Sequence, residues 1–394
     1  MLAKKPRIIQ YDGNKDSDFY NQRTLRNGCF LGVDATQQAA SQEKLANSVV
    51  GIAGAGGLGS NLAVQLARMG VRHIKIGDPD HFEASNINRQ LGAGAPTIGK
   101  NKALVVGEMI RDLMPDVTVE IFPEGLERHT AKEFVQGTDI LFDCTDFYLV
   151  DERYALHRAY REHTRTKTML CAMVWGWGCA IYRFDRHGMT YEDLTGLKEG
   201  EDLTPEKIDV LVRMQANRLP RFPSKKYIYD WMEEVGNIPI LGAVVPIACG
   251  FLAAQATLVL CDLDREPYSP ALPPIPQCHW VDALELTSGF HAFDGNWVNP
   301  DVVKKPLSAA ARRLRPARTC YGHLAGVLGV RIARSLVARK ILSFEQNNIT
   351  MREKTGKLFS EIGIDLSQVA FKDGRQSPHP IVDLAWIGPN MNHM

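Results

Sequence analysis

The sequence predicts an α/β protein with a doubly wound, Rossmann-like and mostly parallel sheet, an irregular crossing segment and an extra C-terminal module. Two observations carry this prediction. From residue 49 to about residue 184, short apolar runs alternate with segments of helical periodicity, the pattern of parallel strands joined by crossover helices. A glycine-rich loop at residues 54–59 follows the first run directly, as strand-to-helix loops do in sheets of this class.

The elements follow one another in a regular order. After a charged, irregular stretch at residues 185–237, a helix at 247–261 lies under the sheet, and a further strand falls near 279–286. Before residue 185, strands and helices alternate along the chain. Strands are predicted at 49–53, 73–77, 117–122, 139–143, 167–172 and 180–184, and helices at 60–69, 100–114 and 151–163.

The 394 residues suffice for two or three domains. We expect an N-terminal arm with one helix at 1–48, a sheet domain at 49–290 that contains the crossing segment 185–237, and an accessory module at 291–394. The module holds an arginine-rich segment at 312–318 and an apolar helix candidate at 321–341. The arginines suit either an acidic ligand or, more simply, a solvated turn.

Composition excludes several classes of protein. A formal net charge of +1 gives no general attraction to nucleic acid or membrane surfaces. The apolar stretch 238–261 is long enough to cross a bilayer, but prolines and glycines interrupt it, so we expect a buried core or interface helix. The eight cysteines form no Cys-x-x-Cys pair and residues 1–18 lack an apolar signal segment, which predicts reduced thiols and a cytoplasmic protein.

The glycine loop indicates a nucleotide. Gly54 permits a tight turn, Gly56 lets the backbone approach a phosphate, and Gly59 lets the next helix pack closely on the sheet. The helix that follows points free N–H groups and a positive dipole end at the anion. Asp78 ends the next strand where an acid meets ribose hydroxyls. These residues alone leave two alternatives equally open, ATP on one side and NAD or FAD on the other.

Further motifs follow in a fixed order, namely Ser85-Asn86-Ile87-Asn88-Arg89-Gln90, Thr97-Ile98-Gly99-Lys100-Asn101-Lys102 and Asp143-Cys144-Thr145-Asp146. Together with the loop they resemble the ThiF/MoeB/HesA family, which includes ubiquitin-activating enzymes and peptide-modifying enzymes such as MccB and the pantocin enzyme PaaA. The resemblance covers residues 26–172 and 236–260 and is poor elsewhere. It implies ATP-dependent adenylation of a carboxylate with release of pyrophosphate.

The resemblance also assigns roles to residues. Adenylation concentrates negative charge on phosphate oxygens, and cations must balance that charge. Asp78 would bind ribose, Asn86 and Arg89 the triphosphate, Lys102 the α-phosphate, and Asp146 magnesium. The full nucleotide-binding set is Gly54, Gly56, Gly57, Gly59, Asp78, Asn86, Arg89, Gln90 and Lys102. Each residue also has a simpler interpretation: Asp78 could cap the next turn, Lys102 could be solvated, and Asp146 could cap a helix.

In the family, an arginine from the partner subunit's N-terminal arm reaches the triphosphate. Arg26 matches that position best, since Asn27, Gly32 and Gln38 follow at the family's spacing, and Arg23 is the second choice. The resemblance therefore implies a homodimer with an isologous interface, in which Arg26 acts as a catalytic residue in trans.

The sequence departs from the family in ways that bear on the substrate. The crossing segment has no cysteine between Cys179 and Cys249, the zinc-binding cysteine pairs of MoeB-like members are missing, and Cys171 and Cys179 are expected to be buried structural thiols. We therefore favour a ribosomal precursor peptide as substrate, which the C-terminal module could hold by strand addition. The alternatives are the C-terminal glycine of a ubiquitin-like sulfur carrier and, from another class, an NAD- or FAD-dependent oxidoreductase.

Overall fold

A computed structural model describes residues 6–126, 128–204, 207, 211, 223–265, 267–269 and 271–292, and six short strands after residue 317. The chain divides into two compact units, residues 1–304 and 305–394. The first unit contains a nine-stranded sheet with helices on both faces.

Nine strands, numbered in chain order, form this sheet. They are β1 (Ile9–Tyr11), β2 (Val49–Ala53), β3 (His73–Gly77), β4 (Thr118–Phe122), β5 (Ile140–Asp143), β6 (Thr168–Trp175), β7 (Gly178–Phe184), β8 (Gln277–Asp282) and β9 (Thr287–Ala292). The described α-helices are α1 (Ser17–Thr24), α2 (Ala35–Asn47), α3 (Gly57–Met69), α4 (Lys102–Leu113), α5 (Ala131–Val135), α6 (Val150–Glu162), α7 (Tyr191–Thr195), α8 (Lys225–Val235) and α9 (Val244–Leu260).

The strand order is β1-β4-β3-β2-β5-β6-β7-β8-β9. The five strands from β4 to β6 in this order run parallel, and β1, β7, β8 and β9 extend the sheet with antiparallel pairs. The doubly wound prediction is confirmed. The order reverses between β2 and β5, so the connections that leave these two strands diverge and open a crevice at their carboxyl ends, where such sheets bind ligands.

Register aligns the predicted motifs at this crevice. Ala53 at the end of β2 pairs with Gly77 on one side and with Asp143 on the other. The glycine loop, the Asp78 turn and the Asp143–Asp146 turn therefore leave neighbouring strands at one level.

The long apolar stretch forms α9, which packs against α3, β6 and β7. Its buried residues, such as Ala248 and Leu252, join one core cluster with Leu62 and Leu66 of α3. The interpretation as a core helix agrees with this packing. Among the described residues, no helix has both the length and the apolar character needed to cross a membrane.

Several expected boundaries were wrong. The N-terminal arm contains two α-helices and the edge strand β1, where one helix was expected. Helix α3 begins at Gly57, three residues before the expected start at Ser60, because the last glycines of the loop already belong to the helix. The strand expected at 279–286 ends at Asp282, and β9 then carries the sheet to Ala292, past the expected start of the C-terminal module.

The described residues of the second unit form three antiparallel hairpins. They pair Arg318–Cys320 with His323–Ala325, Leu342–Glu345 with Asn348–Met351, and Val369–Ala370 with Ser377–Pro378. The helix expected at 321–341 is wrong over 323–325, which is a strand. The rest of that helix and the arginines at 312–315 lie outside the described residues.

Candidate functional site

Two glycines of the loop are required by contacts with its own neighbours. Gly54 has a φ of +100°, and a Cβ atom there would lie 2.5 Å from the carbonyl oxygen of Cys144. A Cβ atom on Gly59 would lie only 1.8 Å from the carbonyl oxygen of Gly54. The loop is packed so tightly between α3 and the turn that follows β5 that no larger side chain fits at either position.

The other two glycines have room for a Cβ atom at ordinary van der Waals distances from their neighbours. A Cβ atom on Gly56 would come no closer than 3.7 Å to Gln90, and one on Gly57 would lie 3.5 Å from Val245 and 3.6 Å from Cγ of Arg89. In the described part of the chain, no side chain caps the N-terminus of α3. Its first N–H groups are therefore open to an anion, on a side bordered by Gln90 and Arg89.

Asp78 links the glycine loop to the end of β3. It is 7% exposed, one carboxylate oxygen accepts the N–H of Ala55 at 2.6 Å, and the other accepts the N–H of Asp80 at 2.9 Å. Asp78 therefore does cap the next turn, by accepting the N–H of Asp80, as the simpler interpretation expected. Burial raises the pKa of Asp78, although these hydrogen bonds and nearby Lys102 oppose the rise. Each oxygen keeps a lone pair for a further donor such as a ribose hydroxyl.

Lys102 is held at the crevice and is not solvated. It is the first residue of α4, its side chain is 11% exposed, and Nζ lies 2.9 Å from a carboxylate oxygen of Asp80. Asn101, which sequence reasoning did not assign, caps α4 by accepting the N–H of Leu104 and donates to the carbonyl of Asp78 at 3.0 Å. An asparagine directly before a helical segment is the signal that could have identified it.

Asn86 and Gln90 are both buried at 7% exposure in the turn that follows. The side-chain oxygen of Asn86 accepts the N–H of Glu83 at 3.0 Å, so in this structure Asn86 shapes the turn. The side-chain oxygen of Gln90 is buried and has no hydrogen-bond partner among the residues that the structure describes. Since a buried unpaired acceptor is costly, it is suited to a donor from a ligand such as ribose.

Arg89 lies at the edge of the same turn. Its guanidinium is half-buried and donates to the carbonyl of Ser85 at 3.1 Å and to the side chain of Asn88 at 2.9 Å. Burial lowers the pKa of Arg89, and the negative charge of Asp146 opposes this change. Asn61 of α3 donates to the carbonyl of Arg89, which ties this turn to the first part of α3.

Asp146 is exposed at the end of the turn after β5. It is not a helix cap, because α6 begins at Val150 and Leu149 occupies its cap position. The hydroxyl of Tyr148 donates to a carboxylate oxygen of Asp146 at 2.8 Å. Burial raises the pKa of Tyr148, and the charges of Asp146, Asp80 and Asp78 add to the rise. The pKa of the Tyr148 phenol is therefore raised by acids from two turns, the one after β3 and the one after β5.

A buried ionic cluster anchors this turn, and sequence reasoning missed it. Asp143 is fully buried and accepts from Arg153 at 2.7 Å and from the hydroxyl of Thr145 at 2.6 Å, while His157 lies 2.9 Å away. Burial alone would raise the pKa of Asp143, but Arg153 and His157 hold it well below its usual range. Burial lowers the pKa of His157. Arg153 and His157 are four residues apart on α6, so they share one helix face.

The two candidate arginines of the N-terminal arm have different environments. Arg23 donates to both carboxylate oxygens of buried Asp116, at 2.7 to 3.1 Å, and to the carbonyl of Ala67. Arg26 is exposed, and no hydrogen bond or ion pair joins it to another described residue. The second choice, Arg23, is therefore committed to the fold, and Arg26 is available to a partner.

Residues 31–363, most of the chain, match the model of the ThiF family. The chain belongs to the ThiF family. This ThiF-family protein is 35% identical over 141 residues to the adenylyltransferase and sulfurtransferase UBA4 of Candida albicans, an alignment that covers 35% of this chain and 32% of that protein. It is 33% identical over 135 residues to UBA4 of Saccharomyces cerevisiae, covering 34% and 31%. The chain spans about a third of the length of these curated relatives.

The fold of the ThiF-family protein is similar to that of MccB in its solved structure with ATP. The crystal structure of E. coli MccB with ATP aligns at a TM-score of 0.50 and 20% identity, over 69% of this chain and 72% of MccB. The crystal structure of PaaA aligns at a TM-score of 0.49 and 18% identity, over 72% and 75%.

A magnesium ion in the ThiF-family protein would need oxygen donors. In the described part of the chain, no three His, Cys, Asp or Glu side chains cluster in a way that could hold a metal. Magnesium is often bound by one or two carboxylates together with substrate phosphates and water. The exposed carboxylate of Asp146, close to Arg89, fits this way of binding magnesium, in which substrate phosphates and water complete the set of ligands.

The cysteines that the structure describes are free thiols. Cys171 and Cys179 are buried, as expected, and burial raises their pKa to about 12 and about 11 respectively. Thiols that remain protonated are poor nucleophiles, so neither is suited to capture an acyl group.

Proposed function

We propose that this ThiF-family protein is an ATP-dependent adenylyltransferase that activates a carboxylate of a ribosomal precursor peptide. The observation that carries the proposal is that β2, β3 and β5 end at one level, so that the turns after them meet at one crevice. We place Asp78, Arg89, Lys102 and Asp146 together there. Charge supports this placement, because Lys102 favours the ionised form of Asp78, Asp146 favours the charged form of Arg89, and Asp146, Asp80 and Asp78 all add to the raised pKa of Tyr148. The family and the name of the UBA4 relatives support the same activity.

In this proposal, a carboxylate oxygen of the substrate attacks the α-phosphorus of ATP. One P–O bond forms, the bond between the α-phosphorus and its bridging oxygen breaks, and pyrophosphate leaves. The N–H groups of the first turn of α3 hold the phosphates, while Arg89 and Lys102 balance charge that develops in the transition state. Lys102 is paired with Asp80 before ATP arrives, so an α-phosphate oxygen must compete for Nζ. Magnesium, held by Asp146 and phosphate oxygens, would supply further positive charge.

The competing class, an oxidoreductase, uses a dinucleotide at the same loop. A dinucleotide carries two phosphates and needs no metal-binding acid, whereas the crevice offers two cations and Asp146. We expect ATP with magnesium to raise the melting temperature by several degrees and NAD or FAD to leave it unchanged. A rise with NAD or FAD alone would favour the oxidoreductase.

The peptide substrate is favoured because the cysteines that could capture an acyl adenylate are either missing or unsuited. Residues 185–237 contain no cysteine, and Cys171 and Cys179 are protonated and buried. A nucleophile on the substrate itself then attacks the activated carbonyl. The word sulfurtransferase in the name of the UBA4 relatives favours the alternative, a ubiquitin-like sulfur carrier activated at its C-terminal glycine.

Pyrophosphate exchange separates the two substrates. The protein is incubated with ATP, labelled pyrophosphate and either candidate precursor peptides or a ubiquitin-like protein that ends in glycine. We expect exchange with a peptide only, and exchange that is lost in Asp146→Ala. Exchange with the ubiquitin-like protein alone would support the alternative, and exchange with neither would contradict adenylation of both substrate classes.

The proposal includes a homodimer in which Arg26 reaches the partner's triphosphate. Apolar side chains close to both arginines in the sequence are exposed to solvent in one chain. Near Arg26 these are Leu25, Phe30 and Val33, at 72%, 84% and 76% exposure, and near Arg89 they are Ile87 and Leu91, at 50% and 46%. An isologous interface would cover both surfaces and bring the two arginines to one site. The free thiols support a reducing, cytoplasmic location for this assembly.

Subunit mixing tests the position of Arg26. Arg26→Ala and Asp146→Ala are each expected to be inactive alone. In a mixed dimer, intact Arg26 of one subunit meets intact Asp146 of the other, so an equal mixture should recover roughly a quarter of wild-type activity. A mixture that forms dimers but stays inactive would place Arg26 in its own subunit's site, and an Arg26→Ala protein that is active alone would place Arg26 outside any site.

A further inference from the structure

The direction of the Asp146 side chain depends on one neighbour. Its carboxylate is exposed, and within the described ranges its single side-chain hydrogen bond comes from the hydroxyl of Tyr148, at 2.8 Å. The backbone of Asp146 is fixed separately, because its carbonyl accepts the N–H of Leu149 at 3.0 Å. Without the hydroxyl, an exposed aspartate would exchange between rotamers.

Tyr148 is itself held in place. Its ring packs edge-on against Phe147, with centroids 5.5 Å apart and an interplanar angle of 77°. Phe147 is 9% exposed and belongs to the core cluster beneath α6, so it is a fixed support. A tyrosine has only two side-chain torsions to restrain, and the contact with Phe147 limits the directions that this ring can take. The hydroxyl therefore has a defined place beside the crevice.

We propose that Tyr148 is a positioning residue for the metal-binding carboxylate of the adenylation site. Its hydroxyl occupies Oδ2 of Asp146 and leaves Oδ1 to bind magnesium together with the triphosphate. Such hydrogen bonds to the second oxygen of a metal-binding carboxylate fix its orientation and raise metal affinity. A phenol also leaves the charge of the carboxylate uncancelled, which an arginine at the same place would not. The inference rests on the proposed function, since it takes Asp146 as a magnesium ligand.

Tyr148→Phe tests the inference, because it removes the hydroxyl and keeps the ring on Phe147. Calorimetry measures ATP binding with magnesium and, separately, with EDTA. We expect Tyr148→Phe to bind ATP with magnesium about tenfold more weakly and to bind metal-free ATP as the wild type does. Mn²⁺ replacing magnesium gives a spectroscopic readout, in which the variant should bind the ion more weakly in the presence of ATP. Tyr268→Phe is the matched control, since Tyr268 is 42% exposed and Tyr148 is 43% exposed.

The outcomes separate the inference from the proposed function. If Asp146→Asn loses the magnesium effect while Tyr148→Phe retains it in full, the positioning role is refuted and the metal role of Asp146 stands. If Tyr148→Phe weakens metal-free ATP binding equally, Tyr148 contacts the nucleotide directly and the inference is again refuted. If Asp146→Asn binds ATP with magnesium as the wild type does, the proposed function loses its metal ligand.

Discussion

Gly57→Ala tests whether the triphosphate lies at the N-terminus of α3. The added methyl group would stand 3.5 Å from Val245 and 3.6 Å from Cγ of Arg89, which are ordinary van der Waals distances. The folded chain can therefore accept it. Because alanine restricts the unfolded chain more than glycine does and favours helix, the free energy of unfolding should stay the same or rise by up to about 1 kcal/mol.

ATP binding should respond in the opposite direction. The methyl group enters the space beside Arg89 where the proposal places a phosphate, so the phosphate must move away from the N–H groups of α3. Losing one hydrogen bond to a charged group costs about 1.5–3 kcal/mol, which corresponds to a roughly 10- to 150-fold rise in the Kd for ATP. Calorimetry measures this Kd, and the ATP-dependent rise in melting temperature should shrink with it.

Two glycine variants serve as controls. Gly250 lies within α9, and a Cβ atom there meets no other atom within 4 Å, so Gly250→Ala makes the same chemical change without touching the crevice. Gly59→Ala places a methyl group 1.8 Å from a carbonyl oxygen and should destabilise the fold itself. A folded Gly57→Ala protein that binds ATP with wild-type affinity would refute the placement of the triphosphate.

Three further predictions concern charge. Lys102→Met keeps side-chain length, and we expect pyrophosphate exchange to fall by about 100-fold with an unchanged melting temperature; wild-type exchange would remove Lys102 from the site. Arg23→Ala removes the closer partner of buried Asp116 and leaves only Arg72, at 3.7 Å, among the described ion pairs of this acid. The free energy of unfolding in urea should therefore fall by about 2 kcal/mol, whereas Arg26→Ala should not lower it; equal losses would contradict this distinction. His157 stays neutral in the fold because burial lowers its pKa, while the unfolded chain protonates below about pH 6.5. Its contribution to stability is therefore present above that pH and is lost on acidification, so His157→Gln should reduce the slope of stability between pH 7 and 5 by up to about 1.4 kcal/mol per pH unit; an unchanged slope would contradict it.

Much of the fold was predictable because its signals are local. The apolar runs that became β2, β3 and β5 carry their own pattern, and the turns that contain Gly54 and Asp78 follow them directly. The family prediction is confirmed for the same reason, since its motifs are short and keep their order. The boundaries that failed, such as the start of α3 and the end of β8, depend on how glycines and turn residues pack against other elements.

The candidate site was only partly predictable. The motifs named Arg89, Lys102 and Asp146, yet Lys102 pairs with Asp80, and Asp146 accepts a hydrogen bond from Tyr148, a residue that no motif marked. The unpaired oxygen of Gln90 likewise appears only once the turn is packed against α3. Contacts of this kind arise from side chains that meet across turns, and sequence spacing does not specify them.

The sequence by itself determined the class of sheet, the family and the residue types offered to a nucleotide, because glycine conformation, apolar periodicity and motif order are properties of neighbouring residues. Tertiary structure alone decided which arginine of the arm is free, since Arg23 is bound to Asp116, 93 residues away. It also decided that Asp143 is anchored in a buried cluster while Asp146 stays exposed. Burial and partnership between residues distant in sequence depend on packing, which is why two acids of one short motif came to have different environments.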